Sequence, residues 1–149
     1  MESTLRRPLP PVLLSLALAL MWVAAELVPL AHLPEARLFG AVLVIAGVLV
    51  AAIGRAQFAR ARTNIHTFRD PDVLVTDGLF RFTRNPMYLG FTMVALGSAA
   101  LLHALSAWAV AIAFVAVSDR WYIRHEEQAL HRVFGSQYAL YAARTRRWL

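Results

Sequence analysis

The sequence contains no cysteine and no lysine, and each absence limits what the protein can do. Without cysteine, disulfides, thiolate metal sites and cysteine nucleophiles are excluded. Without lysine, the fifteen cationic side chains are all arginines, and the formal net charge is +6. Arginine keeps its charge and holds anions in a fixed fork, so acidic lipid headgroups or an anionic ligand are natural partners. Because the arginines fall in three segments separated by apolar runs, a nucleic-acid surface is not indicated.

Long apolar runs dominate the chain. Hydrophobic residues make up 59% of its 149 residues, and the mean hydropathy is +0.54, which is too apolar for a soluble domain of this length. We predict an all-α, integral-membrane helical bundle in which about four transmembrane helices, the last two a short hairpin, precede cytosolic C-terminal helices. The predicted membrane segments are residues 12–31, 38–54, 87–102 and 105–118, and the cytosolic segments are residues 55–86 and 119–149. No second domain is indicated, so residues 1–149 are expected to form a single domain.

The distribution of arginines predicts an orientation. If the amino terminus is cytosolic, fourteen of the fifteen arginines lie on the cytosolic side and only Arg37 lies outside, as the positive-inside rule expects for four spans. Both termini are then cytosolic, and the loop at 55–86 and the tail at 119–149 meet at one face. A cleaved signal peptide is the competing interpretation of the first apolar run, but the further apolar runs favour a retained anchor.

The segment LVTDGLFRFTRNPMYLG, residues 74–90, joins a basic loop directly to the third apolar run. Asn85 followed by Pro86 is typical of a helix start, because asparagine caps free backbone N–H groups and proline suits the first helical position. One interpretation of Arg84 is that it only follows the positive-inside rule, which orients the protein in the membrane. Alternatively, a helix start flanked by arginines binds a carboxylate or phosphate, with Tyr88 one turn further to stack or hydrogen-bond.

A second polar cluster follows the last apolar run. Glu127 lies one helical turn after Ile123 and at helical spacing with later apolar residues, so it would fall on the apolar stripe of a helix, where a solvated carboxylate is not expected. Glu126 lies about 100° further round the same helix. The simpler alternative is that both acids only pair with nearby Arg120 or Arg124.

The rest of the tail carries a helix stop and two tyrosines. Gly135 is typical of a helix end, and Tyr138 and Tyr141 share one face of a final helix. The histidines lack the i, i+4 spacing of a metal site, so no metal is expected.

The two polar clusters, taken in order, resemble the integral-membrane methyltransferases, a group that includes isoprenylcysteine carboxyl methyltransferases and phospholipid N-methyltransferases. The chain looks most like their small bacterial relatives, over about residues 58 to 144. The residues that carry the resemblance are Thr63, Leu74, Val75, Gly78, Leu79, Phe80, Arg81, Thr83, Arg84, Asn85, Pro86, Met87, Tyr88, Leu89, Gly90, Glu126, Glu127, Leu130, Phe134, Gly135, Tyr138 and Tyr141.

The resemblance implies a cofactor and a set of site residues. The methyl donor would be S-adenosylmethionine, leaving S-adenosylhomocysteine, bound on the cytosolic side between the start of the third span and the tail. One wall of the site would be formed by Arg84, Asn85, Pro86, Tyr88 and Gly90. The other wall would be formed by Glu126 and Glu127, with Tyr138 and Tyr141 also binding the cofactor. The implied catalytic residues are Arg84, Tyr88 and Glu127.

The resemblance also implies an amphiphilic acceptor, either lipid-like or isoprenoid, that enters from the membrane and presents its polar head at the cytosolic boundary. The expected setting is a multi-pass protein of a bacterial inner membrane, with membrane lipids as partners and no nucleic acid. The chain departs from the family at Asn85, where many isoprenylcysteine enzymes and sterol reductases have histidine. Its ending, Arg144–Arg147, also lacks the family's tail pattern.

Methyl transfer from a sulfonium depends more on positioning than on acid–base machinery. Arg84 could bind the donor carboxylate, and either Glu126 or Glu127 could bind its ammonium group or ribose hydroxyls, or accept a proton from an amine acceptor. Two alternatives are an NADPH-dependent enzyme like the sterol reductases, which have a similar Arg-x-Pro-x-Tyr-x-Gly element, and a non-catalytic membrane scaffold. A soluble Rossmann-type methyltransferase is excluded, because no Gly-x-Gly-x-x-Gly fingerprint is present.

Overall fold

The computed structural model describes residues 9–32, 36–61 and 71–149. Within these ranges the chain forms helices and no strand, which confirms the all-α prediction for them. The helices are α1 (Pro10–Leu27), α2 (Arg37–Arg60), α3 (Pro86–Leu102), α4 (Leu105–Val117) and α5 (Arg124–Arg144), with a 3-10 turn at Gly78–Arg81 and a π-helical segment at Ser118–Ile123. Part of the predicted loop, residues 62–70 with Thr63 of the family pattern, lies outside the described residues.

All four predicted membrane segments contain a helix, with shifted ends. α1 ends at Leu27 and not at residue 31, whereas α2 continues to Arg60. By length and composition, α1 and α2 could each cross a membrane, with mean hydropathies of 1.8 and 2.3. α3 and α4, with 17 and 13 residues, extend only about 25 and 20 Å along a hydrocarbon core of about 30 Å. Large apolar side chains such as Leu38 of α2 are exposed, as expected of a surface that faces lipid.

α2 and α3 run antiparallel with their backbones in close contact. Gly40 of α2 lies against Gly97 of α3, and Gly47 lies against Gly90, so a Cβ added at Gly47 would be 2.6 Å from the Gly90 carbonyl oxygen. Small residues allow such an approach between membrane helices, where packing rather than water exclusion drives association. The contact fixes the start of α3 beside the end of α2.

α1 packs on α3 and α4 through an apolar cluster built mainly of small side chains. Ala95 of α3, Ala107 and Ala111 of α4, and Met21 of α1 are all fully buried in it. Because alanine leaves little side chain between the helix axes, the three helices lie close together in this cluster. The cavity that could hold a ligand lies instead at one end of the helices.

The turns after α1 and after α3 meet at one end of the bundle. The Leu105 N–H donates to the Ala31 carbonyl oxygen at 3.0 Å, and the Ser106 hydroxyl donates to the Ala24 carbonyl oxygen at 3.1 Å. The opposite end, called the site end below, therefore collects the starts of α1 and α3, the end of α2, and α5. The predicted meeting of the basic loop and the tail at one face is confirmed for the described residues.

α4 leads into α5 without a turn. Backbone dihedrals remain helical at Val117, at Ser118 and through to Arg124, so the π-helical segment joins the apolar helix to the polar one. The helix is interrupted at Gly135, which has φ +48° and ψ −117°, a conformation that suits glycine because it has no Cβ. The predicted helix stop at this glycine is confirmed.

Candidate active site

A cavity of about 270 Å³ opens at the site end. Its polar lining comes mainly from the start of α3 and from α5, with one residue of α2. Its apolar lining comes from α1, α2, the loop before α3, the first turns of α3, and α5. The polar residues are Arg55, Arg84, Asn85, Tyr88, Glu126, Glu127, Tyr138 and Tyr141, and the apolar residues include Leu9, Pro10, Phe58, Phe80, Pro86, Phe91 and Leu130. The two polar clusters found in the sequence thus face each other across one space.

The loop before α3 is held by the tail that follows α5. The Arg84 N–H donates to the Arg146 carbonyl oxygen at 2.9 Å. The Thr83 hydroxyl and the Asn85 side-chain amide both donate to the Arg147 carbonyl oxygen, each at 3.1 Å. Asn85 occupies the N-cap position, but its side chain makes no capping hydrogen bond. The predicted side-chain cap is therefore wrong, because the amide is committed to the tail instead.

The two tail glutamates have different partners. The Tyr88 hydroxyl donates to Glu126 Oε1 at 2.8 Å. Glu127 pairs with Arg84, with Nη1 3.2 Å from Oε1, and with Arg147, whose Nε donates to Oε1 at 3.1 Å and whose Nη2 donates to Oε2. The Glu127 side chain is only 13% exposed, so this ion pair lies largely out of bulk solvent. The ion pairs of Glu127 thus join distant segments, unlike the pairing with Arg120 or Arg124 considered above.

The tyrosines of the last helical turns close the base of the cavity. Arg84 Nη1 donates to the Tyr138 hydroxyl at 3.3 Å, and the Tyr141 hydroxyl donates to the Phe80 carbonyl oxygen at 2.7 Å. Burial, reinforced by the charge of Glu127, raises the pKa of Tyr138 above its usual value. Burial also raises the pKa of Tyr141, with a contribution from Tyr138. Both hydroxyls are therefore protonated at neutral pH. The Tyr141 proton is already donated to Phe80, whereas Tyr138 accepts from Arg84 and can still donate its own proton.

Arg84, a residue that lines the cavity, has one buried donor group without a partner among the described residues. Arg84 Nε is buried and makes no hydrogen bond to any described residue, although Nη1 of the same guanidinium is bonded to Glu127 and Tyr138. An unsatisfied buried N–H is costly. A bound carboxylate could accept a hydrogen bond from it, and this chemistry fits the amino-acid part of S-adenosylmethionine.

Comparison with known proteins identifies the family. Residues 36–137 match the family model described as phospholipid methyltransferase. The chain belongs to this family. It is therefore a methyltransferase of a membrane-protein family, and this membership argues against the reductase and scaffold alternatives.

Curated relatives of this phospholipid methyltransferase family member are plant enzymes. The probable protein-S-isoprenylcysteine O-methyltransferase of Oryza sativa subsp. japonica is 32% identical over 139 residues, which cover 80% of this chain and 70% of the rice protein. Protein-S-isoprenylcysteine O-methyltransferase B of Arabidopsis thaliana is 32% identical over 112 residues, covering 71% of this chain and 55% of that protein.

A solved structure shares the fold. The eukaryotic intramembrane Ras methyltransferase ICMT, an isoprenylcysteine carboxyl methyltransferase, superimposes with a TM-score of 0.64 at 21% identity. The match covers 97% of this chain and 52% of ICMT, so the methyltransferase chain spans about half the length of that protein.

The structure brings together most of the residues that the sequence predicts for the site. Gly90 is the exception, because it packs against the α2 backbone, where an added Cβ would lie 2.5 Å from the Gly47 carbonyl oxygen, and it is absent from the cavity lining. Sequence reasoning missed Arg147 and its partner Asp119, whose Oδ1 is 3.5 Å from Arg147 Nη1. It also missed Trp148, whose indole N–H donates to Asp119 at 3.1 Å.

Proposed function

We propose that this methyltransferase moves a methyl group from S-adenosylmethionine to an amphiphilic, lipid-like or isoprenoid acceptor at the membrane boundary. The observation that carries the proposal is the single cavity in which Arg84, Glu126 and Glu127 meet beside an apolar lining. The nearest cavity-lining polar residues of the two clusters, Tyr88 and Glu126, are 38 residues apart in sequence. A purely topological role would not require the two clusters to share one space.

The polar lining matches the functional groups of the donor. Arg84 would hold the donor carboxylate through its guanidinium, and Glu126 would accept hydrogen bonds from the ammonium group or the ribose hydroxyls. The ring of Tyr88, which is 5% exposed and fixed by its hydroxyl at Glu126, would offer an aromatic surface to a cation. When bound, S-adenosylmethionine supplies an electrophilic methyl group on a sulfonium.

The different partners of the two glutamates suggest different roles. Both oxygens of Glu127 are already bonded to guanidinium groups, so we assign it to holding Arg84 rather than to contacting the reacting atoms. Glu126 then becomes the carboxylate that faces the ligand. If the acceptor is an amine, Glu126 would take the proton that is released when the nitrogen is methylated.

The apolar lining suggests how the acceptor enters. Leu9, Pro10, Phe58 and Phe91 give the cavity an apolar side next to the helices that carry the exposed apolar residues. A lipid tail could remain among these side chains while its polar head reaches Glu126. The enclosed apolar side would also exclude water, which favours attack by an anionic nucleophile on a cationic donor. The names of the plant relatives, which specify an isoprenylcysteine, are compatible with such an acceptor.

For the membrane arrangement, we propose one domain over residues 1–149 with four spans and with the site end on the cytosolic side of a bacterial inner membrane. The cysteine-free sequence allows a direct test. A single cysteine introduced by Arg146→Cys, on the exposed tail, should react with an impermeant maleimide only in inside-out vesicles. A cysteine introduced by Leu30→Cys, at the other end of the bundle, should react only in right-side-out vesicles. The reverse pattern would refute the orientation.

The activity itself is tested with purified protein, methyl-labelled S-adenosylmethionine and a bacterial lipid extract. The proposal expects label in an organic-soluble product, with loss of at least tenfold in the rate for Glu126→Gln. Glu26→Gln, a matched change at an exposed residue of α1 that does not line the cavity, should leave the rate unchanged. Absence of labelled lipid, or equal rates for Glu126→Gln and the wild type, would contradict the proposal.

A further inference from the structure

Arg147 lies at the centre of a line of alternating charges. In order, the groups are the Asp119 carboxylate, the Arg147 guanidinium, the Glu127 carboxylate and the Arg84 guanidinium, here called the charge ladder. Its four members come from the π-helical segment, the tail, α5 and the loop before α3. Arg84 and Glu127 line the cavity, whereas Asp119 and Arg147 do not. The ladder therefore links the site to groups outside it.

The geometry at Glu127 shows what Arg147 does. Its guanidinium engages both carboxylate oxygens, Nε with Oε1 at 3.1 Å and Nη2 with Oε2. Such a two-point contact fixes the plane of the carboxylate as well as its position. Oε1 is then directed at Arg84 Nη1, 3.2 Å away. The hydrogen bond from Arg147 to Glu127 also raises the pKa of the guanidinium.

Arg147 is itself held from two sides. Its Nη1 lies 3.5 Å from Asp119 Oδ1, and the next residue, Trp148, donates its indole N–H to the same oxygen at 3.1 Å. Its carbonyl oxygen accepts the hydrogen bonds from Thr83 and Asn85. Arg147 thus fixes Glu127 through its side chain, and it fixes the side chains of Thr83 and Asn85, on either side of Arg84, through its carbonyl oxygen.

We propose that Arg147 is a positioning residue for methyl transfer, which fixes Glu127 and, through it, the Arg84 guanidinium in the orientation that receives the donor. This inference rests on the proposed function, because it concerns the same cavity. Arg147 touches neither the donor nor the acceptor. Its removal should mainly weaken donor binding by letting Glu127 and Arg84 adopt other rotamers.

The test measures the affinity of the purified full chain for S-adenosylhomocysteine by calorimetry. Arg147→Gln should bind it at least tenfold more weakly than the wild type, and Arg147→Lys, which keeps the charge but loses the fork, should fall between the two. Arg146→Gln is the matched control, since that side chain is exposed and, among the described residues, hydrogen-bonds within the tail itself, to the Leu149 carbonyl oxygen. It should bind within twofold of the wild type.

A double variant separates positioning from a general loss of structure. If Arg147 acts through Glu127, then adding Arg147→Gln to Glu127→Gln should weaken binding by less than a further threefold. A full additional tenfold loss would refute the route through Glu127. The donor KM should also rise more than kcat falls. If Arg147→Gln is recovered only unfolded, the affinity for S-adenosylhomocysteine is measured instead for Arg147→Lys and for Asp119→Asn. Wild-type affinity in both variants would overturn the inference.

The outcomes distinguish the two proposals. If the wild type fails to bind S-adenosylhomocysteine, the proposed function fails and this inference fails with it. If the wild type binds and Arg147→Gln binds equally well, only the positioning role is refuted.

Discussion

The close contact between α2 and α3 predicts a large effect from a single methyl group. In Gly47→Ala, the new Cβ would lie 2.6 Å from the Gly90 carbonyl oxygen, and an acceptable contact needs 3.0 to 3.4 Å, so the backbones must separate there by 0.4 to 0.8 Å. Gly90 lies half a turn after Tyr88, and the displacement therefore moves the start of α3 relative to Glu126. An error approaching 1 Å in a positioned group can cost on the order of 100-fold in rate, so we expect roughly a tenfold loss in kcat/KM.

Gly54→Ala provides the matched control on the same helix. At that position the nearest atoms are Met87 Cγ at 3.2 Å and Pro86 Cγ at 3.3 Å, which are side-chain atoms that need to give way by at most about 0.2 Å to reach an ordinary contact of 3.4 Å. Both changes stabilise the helix by about 1 kcal/mol, because alanine has a higher helix propensity than glycine. Gly47→Ala is also destabilised by about 1–3 kcal/mol, because the added methyl group overpacks the contact. Gly47→Ala should thus be about 1–3 kcal/mol less stable than Gly54→Ala, which corresponds to roughly 3–9 °C in the thermal midpoint.

The assay combines tryptophan-fluorescence melting in detergent with methyl transfer from labelled donor. Equal melting temperatures and equal rates for Gly47→Ala and Gly54→Ala would show that the backbones of α2 and α3 are not in the contact described, and the reasoning from this contact to the site would be refuted.

Three further predictions concern the site itself. Tyr88→Phe removes a hydrogen bond to a carboxylate, which is worth about 1.5–3 kcal/mol when fully buried. Because this contact is only partly buried, the expected loss of stability is about 1–2 kcal/mol. The variant should also bind the donor more weakly, and unchanged affinity would count against the role of Glu126. The contribution of Tyr138 and Tyr141 to stability should be constant below about pH 10 and be lost above it, because burial raises the folded-state pKa of each over the unfolded value. A melting series from pH 8 to 11 should show a shallower fall for Tyr138→Phe than for the wild type. Gly135→Ala places a side chain at φ +48° and ψ −117°, a combination that suits only glycine. It should cost about 1–3 kcal/mol by urea or thermal unfolding, whereas a stabilised variant would contradict the described kink.

Local sequence signals predicted much of the fold and the two halves of the site. The apolar runs predicted α1 to α4 at approximately the observed positions. The segments around Arg84 and Glu126 could be predicted as parts of a site, because each combines polar residues with the edge of an apolar run. Their meeting in one cavity followed from topology, since an even number of helices separates the loop from the tail.

Contacts made by the irregular tail could not be predicted. Arg147 follows the end of α5, where Thr145 has extended dihedrals of φ −123° and ψ 129°, and no periodicity indicates which side chain such a segment will meet. The same contact explains the error at Asn85, because a backbone carbonyl from a residue 62 positions later competes with the local cap. Gly90 is a different case: the seven-residue spacing of Gly40, Gly47 and Gly54 indicates a helix-packing face, and Gly90 and Gly97 repeat it.

The central claim is that the start of α3 and the α5 segment enclose one methyl donor. Its most direct test is ultraviolet cross-linking of the purified protein with radiolabelled S-adenosylmethionine, followed by trypsin digestion and peptide mapping. The account predicts label in the peptide of residues 85–120 and in at least one of the peptides of residues 125–132 and 133–144, with excess unlabelled S-adenosylhomocysteine abolishing both signals. Competable label confined to peptides outside these three would contradict it.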